Sequence, residues 1–511
     1  SAFQYGLDTG LLNSFQAMEG FLRVFGVQKP GGGWTIETQT QQLITSLLQV
    51  GLIVASAILG PLSKFMGRRQ AVQLAGVISC IALTIQIFVT TKPPLYVARL
   101  LIGMTNGIYV NIIVLYISEI SPPKLRGAFV SIYQPYTSIG GLIGAIISNS
   151  LKKNLGKASY RIALALLYAV PVWLFIFVFF IPESPRWLVV QDRNEEARRS
   201  LSRLRNLSID DPRIEKEMQF IEEAVKVEKE LAEGTDWRDM FRGTDRRRTL
   251  LTIACGLFHA ASGLNFLVGY ACLYFIETTP TLNSVGALIS VFLARWLGRR
   301  LLLSTGFGVG VFTMYTVAIL YTVAPDTNQA VGRAMVACLC IEGFTYSCTI
   351  GPLAWVAAGE MSSNRLRSWT FGVGMSVGFV GAWLTTFTTP YFIGESELNW
   401  GPKIGYIWGT SNLITFVFVL LFLPETKNLS LEKLDVLFTN KVHPWRFQST
   451  ILTHYLRQRY LSVMGSGYTF QDEGHFAGLG VVQMEEERGD LRSLDEKSDG
   501  LSSKGEVDHI D

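Results

Sequence analysis

Two ionisable residues, Asp8 and Arg99, stand inside stretches that are otherwise apolar. A carboxylate beside a cation stays ionised, and one left in an apolar setting takes up a proton. Such a pair binds or releases a proton as its surroundings change. Charge inside a membrane is costly and is usually functional. Glu342 is a second carboxylate inside an apolar stretch, facing the outer vestibule or pairing locally, and the sequence alone assigns it no role. The remaining charges of interest come as a doubled set. Gly67-Arg68-Arg69 is matched by Gly298-Arg299-Arg300, and Glu119 with Arg126 by Glu360 with Arg367. Pro182-Glu183-Ser184, with Arg186 close behind, is matched by Pro424-Glu425-Thr426. The copies lie 231, 241 and 242 residues apart. Carboxylates and guanidiniums at matched spacing form charge-assisted pairs. These clusters read as a cytoplasmic gate that latches two halves together; the alternative is charges that only set topology.

Three unlike signals at nearly one interval imply two halves built to one plan. In an apolar chain such a repeat points to a transporter with its site between the halves. Mean hydropathy is +0.29, and only 17% of residues are charged, against about 25% in an ordinary soluble chain. Twelve stretches approach the roughly 20 apolar residues that a membrane helix needs. They are 2–24, 41–63, 70–90, 94–117, 127–149, 161–181, 248–277, 281–297, 301–323, 333–358, 369–392 and 404–424. The expected fold is therefore an all-α membrane protein with twelve transmembrane helices. A six-helix bundle over 1–181 and another over 248–424 flank a charged linker with short helices, 182–247, read as amphipathic and solvated. Residues 425–511 form a tail, disordered toward its end. Short loops on one side carry Lys64, Arg68, Arg69, Lys124, Arg126, Arg295, Arg299, Arg300, Arg365 and Arg367, so that side, with the linker and C-terminus, reads as cytoplasmic.

These residues resemble the sugar-porter family of the major facilitator superfamily. The carrying motifs are Tyr5-Gly6-Leu7-Asp8-Thr9-Gly10, the two GRR triplets, Arg99, YISEISPPKLRG (116–127), Gln134, PESPRWL (182–188), Ser262-Gly263-Leu264-Asn265, GPLAW (351–355) and PETKNLSLEKLD (424–435). EMSSNRLR and LNWGPKIGYIWG look most like fungal hexose and maltose-type α-glucoside carriers. The resemblance implies a major facilitator fold and transport of a sugar by alternating access. It implies that Asp8 and Arg99 are the proton-coupling pair of a symporter; a static pair in a facilitator stays open. It also implies sugar contacts by Gln134, Asn265, Asn283 and Trp355, with Tyr270 as an aromatic lid. Amides both donate to and accept from hydroxyls, and an indole face covers a sugar's C–H face.

Two departures bear on the substrate. Where relatives carry Gln-Gln, this chain has His259-Ala260. His259 is counted among the substrate-binding candidates, with titration or a bond to a carbonyl as alternatives. Gly378-Phe379 replaces an Asn-Trp pair, which is expected to enlarge the pocket locally. Two lengths also stand out. Seven residues precede Asp8, about 10 Å of helix against a core about 30 Å thick, so helix 1 reads as N-terminally truncated. Helix 8 reads as short, with Asn283 near its outer end and about ten residues fewer than relatives have.

No phosphate-cradling GxxxxGK[ST] is present, and no His or Cys set has metal-ligand spacing, so neither metal nor cofactor is expected. No nucleophile–base set suggests an enzyme. The net charge of +4 is accounted for by the basic loops and calls for no nucleic acid. The expected partners are a small sugar, a proton and the lipid bilayer, for a functional monomer at the plasma membrane. The other readings are facilitated diffusion, a polyol or quinate-like solute, and a non-transporting sugar sensor.

Overall fold

The computed structural model describes residues 2–447, apart from 16–17, 29–33, 122–131, 152–155, 157, 233–235, 265–277, 324–328, 364–365, 394–396, 428, 430–433, 435–436 and 441. The first half holds α1 (Ala2–Phe15), α2 (Glu19–Phe25), α3 (Thr38–Phe65), α4 (Arg68–Phe88), α5 (Lys92–Ile120), α6 (Tyr133–Leu151), α7 (Ala158–Leu166) and α8 (Ala169–Val178). The linker holds α9 (Pro185–Val190), α10 (Asn194–Arg205) and α11 (Pro212–Ala232). The second half holds α12 (Gly243–Ala261), α13 (Thr278–Trp296), α14 (Arg299–Val323), α15 (Gln329–Cys348), α16 (Ile350–Met361), α17 (Arg367–Ile393) and α18 (Gly405–Phe422). A two-stranded antiparallel ribbon, β1 (Val27–Gln28) with β2 (Trp34–Thr35), interrupts the helices and was not expected.

Eight helical spans among the described residues are long and apolar enough to cross a membrane. Many large apolar side chains point outward, such as Phe88, Phe292 and Phe312, where water would penalise them and lipid would not. Expected helix 6 is divided into α7 and α8, and expected helix 10 into α15 and α16. Both breaks have one cause. Proline lacks an N–H and crowds the carbonyl four residues earlier. Pro171 stands four residues after Leu167, and Pro352 four after Cys348. Expected helix 7 is not continuous either: α12 ends at Ala261, and Gly263 follows with φ of +77°, a conformation glycine adopts without strain.

The repeat seen in the sequence is also a repeat of contacts. In the first half α1 packs on α6, α3 and α4 on α5, and α4 on α8. In the second half α12 packs on α17, α13 and α14 on α15, and α14 on α18. The halves meet by equivalent contacts, α3 with α17 and α13 with α6. Glycines line the tight seams. A Cβ on Gly6 would strike Thr137 O, and one on Gly256 would strike Gly374 O. Small residues let membrane helices approach closely, where lipid offers no hydrophobic drive for association.

The linker, read from the sequence as amphipathic and solvated, is not merely solvated. Trp187, Leu188, Ala197, Leu201, Ile214, Met218 and Val225 form its own buried core. Arg205 ties it to the first half by donating to Ile120 O at 3.2 Å while pairing with Glu217 at 2.6 Å.

Candidate functional site

The doubled charges form two clusters of one design. Glu183 accepts from the Arg68 N–H at 2.9 Å and the Arg69 N–H at 3.2 Å. Glu425 accepts from the Arg299 N–H at 2.9 Å and the Arg300 N–H at 3.1 Å. Each carboxylate therefore caps a helix N-terminus, where free N–H groups and the helix dipole favour an anion. The Arg68 side chain then pairs with Glu119 at 2.8 Å, and that of Arg299 with Glu360 at 3.1 Å. The second arginines reach backbone carbonyls, Arg69 at Val178 and Arg300 at Leu420. Arg186 is the second residue of α9, next in space to this arrangement through Ser184, which caps that helix. Arg126 lies outside the described residues, as does the side chain of Arg367, whose backbone opens α17.

Every described pair in these clusters joins helices within one half. The sequence reading had them latch the halves to each other. Glu183 and Glu425 are taken up by the GRR backbone of their own half, while the side chains of Arg126 and Arg367, which that latch also uses, lie outside the described residues. Glycine in both triplets leaves room for the cap, because a Cβ on Gly67 or Gly298 would push against a carboxylate oxygen of Glu183 or Glu425, which would have to shift. Gly298→Ala should therefore displace Glu425 and cost about 1–3 kcal/mol of stability. Thermal unfolding of the solubilised protein checks this against Gly332→Ala, where nothing lies within 4 Å of the added carbon. Equal melting of the two variants would contradict the account.

Asp8 on α1 faces Arg99 on α5, with Arg99 Nη1 3.6 Å from Asp8 Oδ1. Asp8 is 1% exposed and Arg99 fully buried. The Asn106 amide donates to Asp8 Oδ2 at 3.3 Å. Asn106 follows Arg99 by seven residues, two helical turns, so both project from one face of α5. That spacing was legible in the sequence and was overlooked.

A second group of side chains spans the halves. The Gln134 amide nitrogen, from α6, and the Tyr346 ring, from α15, both come to 3.3 Å of where a Cβ on Gly351 would stand. Gln134 thus reaches across to α16. The Tyr346 hydroxyl lies 2.5 Å from His259 Nδ1. The His259 ring stands 5.3 Å from the ring of Trp355, which stands 5.9 Å from that of Phe379. His259 Nε2 is buried with no hydrogen-bond partner among the described residues. Of the alternatives for His259, a bond to a carbonyl is not the arrangement found; its partner is Tyr346, a residue the sequence reading missed. Gly378 does not enlarge this pocket. A Cβ there would strike Gly256 O, so the glycine serves the contact between α12 and α17.

Asn265 and Tyr270 lie outside the described residues. Asn283 is the sixth residue of α13, and its Oδ1 is buried without a partner among the described residues. Gly286, a turn deeper, is the residue that packs on Phe344 O and Ser347, which flank Tyr346. Asn283 therefore sits about one turn outward of the His259–Tyr346 level. Helix α13 has 19 residues against 28 in its counterpart α3, a difference of about 13 Å. Residues 265–277, immediately before α13, lie outside the described residues, and the expected shortness of helix 8 falls with them.

Residues 1–438 match the family model described as sugar (and other) transporter. The chain is 28% identical over 473 residues to a low-affinity glucose transporter of Kluyveromyces lactis, covering 88% of this chain and 82% of that one. It is 26% identical over 499 residues to a galactose transporter of Saccharomyces cerevisiae, covering 93% and 84%. Among solved structures it resembles the inward-open xylose transporter XylE from E. coli, with a TM-score of 0.69 at 18% identity, over 85% of this chain and 97% of that one. The doubled contacts, the paired charge clusters and these matches agree: the chain is a multi-pass membrane protein with the major facilitator fold, and it belongs to the sugar (and other) transporter family.

Proposed function

We propose that this protein carries a sugar across the plasma membrane by alternating access, coupled to proton entry through Asp8 and Arg99. The observation that carries the reading is the set Gln134, Tyr346, His259 and Trp355, which draws on both halves at one point. An amide, an imidazole nitrogen and a phenol hydroxyl can each exchange hydrogen bonds with sugar hydroxyls, and the indole covers the ring. Rocking of the halves opens the point to either side. The two charge clusters keep each half rigid during that movement and act as its gate. The linker and the C-terminus lie on the cytoplasmic side, and the carrier works as a monomer. Coupling follows from the buried pair: sugar-driven closure weakens the attraction between Asp8 and Arg99, so proton and sugar affinities become linked.

Binding tests the sugar site. The purified protein is titrated with a panel of hexoses and α-glucosides by calorimetry. One sugar should bind saturably, and Gln134→Ala should weaken it by about 1–3 kcal/mol, roughly 5- to 150-fold. Unchanged affinity in Gln134→Ala would remove that residue from the site; no binding by any sugar would remove the reading. A sensor that binds without transport is the second reading, favoured by 29% identity to a high glucose sensor of Saccharomyces cerevisiae. The chain spans 59% of that relative.

A further inference from the structure

Glu342 is used by nothing described so far. It is 3% exposed, within α15, and Arg99 stands near the equivalent position of the repeat. Arg99 lies 20 residues before Glu119, and Glu342 lies 18 before Glu360. Arg99 has Asp8. Glu342 has no charged partner among the described residues; its neighbours are neutral oxygens. Thr313 Oγ1, from α14, lies 2.7 Å from Glu342 Oε2. Glu342 Oε1 and Asn412 Oδ1, from α18, crowd the same spot, at 3.0 and 2.9 Å from where a Cβ on Gly310 would stand. Asn412 directs its amide N–H groups to Ser262 O at 3.2 Å and Trp408 O at 2.9 Å, and its Oδ1 has no donor among the described residues. Thr313 and Asn412 are as buried as Glu342.

Acceptor oxygens gathered in a dry site need a proton between them, because an unpaired buried carboxylate is far costlier than a neutral acid. We propose that Glu342 is a second proton-binding site, in the half opposite Asp8, and that its proton sets the geometry of the helix break carrying His259. The proton comes from water and resides on the carboxyl group. The proton sits on Oε1 and points toward Asn412 Oδ1, the acceptor without a donor among the described residues, while Oε2 accepts from the Thr313 hydroxyl at 2.7 Å. Every hydrogen in that chain has an acceptor. Loss of the proton puts a full negative charge beside Asn412 Oδ1 and repels it. Asn412 holds Ser262 O, the residue at which α12 stops, and His259 lies in the last turn of α12. Tyr346, the His259 partner, lies one turn after Glu342 on the same face of α15. The carboxyl therefore meets the proposed sugar site from two directions.

The charged residues of the packed helices stand toward the helix ends in sequence. Arg299 and Arg300 open α14, Glu360 lies near the end of α16, and Arg295 lies near the end of α13. Arg333 stands nine residues before Glu342 on α15. On α15 the titratable side chains one turn from Glu342 are Cys338 and Tyr346, and on α14 the Tyr315 hydroxyl is engaged by Thr410.

Infrared spectroscopy of the purified full chain, compared with Glu342→Gln, tests the site itself. The wild type should show a protonated-carboxyl band at neutral pH that is lost in Glu342→Gln, and that is altered in Thr313→Val. Absence of any difference band across the accessible pH range would overturn the proposal. The link to His259 rests on the sugar reading and is tested separately, by sugar affinity against pH. Glu342→Gln mimics the neutral acid, so it should retain the affinity seen at low pH and lose the fall at alkaline pH. An unchanged pH profile would reduce Glu342 to a packing group. Failure of the wild type to bind any sugar would sink the sugar reading and leave the infrared result standing.

Discussion

Asp8→Asn should abolish proton-driven sugar accumulation while leaving sugar exchange intact. The amide keeps the size of the carboxylate and can still accept from Arg99, so the fold persists. It cannot take up the proton that links the two gradients. In vesicles carrying an inward proton gradient, the variant should equilibrate sugar but not concentrate it. Counterflow of labelled sugar, which needs only the moving carrier, should run near the wild-type rate. Full accumulation by Asp8→Asn would remove the pair from the coupling mechanism. Loss of exchange together with accumulation would instead assign Asp8 to the movement itself.

Arg99→Ala should be the most destabilising single substitution in the first half. It leaves the Asp8 carboxylate, 1% exposed, with the Asn106 amide as its hydrogen-bond donor among the described residues. Breaking a buried pair from one side costs about 3–5 kcal/mol, because the remaining charge is uncompensated. The double variant Asp8→Asn with Arg99→Leu should recover much of that loss, since it removes both charges. Thermal unfolding in detergent, run as a double-mutant cycle, measures this. Additive losses in the double variant would show that the two residues are not energetically coupled.

The charges were the most legible part of this chain. GRR triplets and PE motifs at one interval announced the repeat, and the structure pairs each with its expected type of partner. Which carboxylate takes which arginine was not legible, because capping of α4 and α14 by Glu183 and Glu425 depends on chain paths that spacing does not fix. The breaks in helices 6 and 10 were legible in Pro171 and Pro352. Apolar run length concealed them, since hydropathy is blind to a missing N–H. The site was half legible. Among the candidate residues, Gln134 and Trp355 followed from motif matches and His259 from a departure, whereas Tyr346 needed the placement of α15 against α12. Gly378 shows the limit most clearly. Its lack of a side chain reads as added room in the pocket, yet the space is filled by the backbone of a neighbouring helix.

The central claim is that this chain moves a sugar and that a proton moves with it. The most direct measurement is uptake of labelled sugars by the purified full chain in proteoliposomes, with and without an inward proton gradient. The account predicts saturable uptake of at least one hexose or α-glucoside, concentrated above equilibrium only while the gradient lasts and released by a protonophore. Uptake that merely equilibrates, indifferent to the gradient, would contradict coupling; no uptake of any sugar, from protein shown to be folded, would contradict the account as a whole.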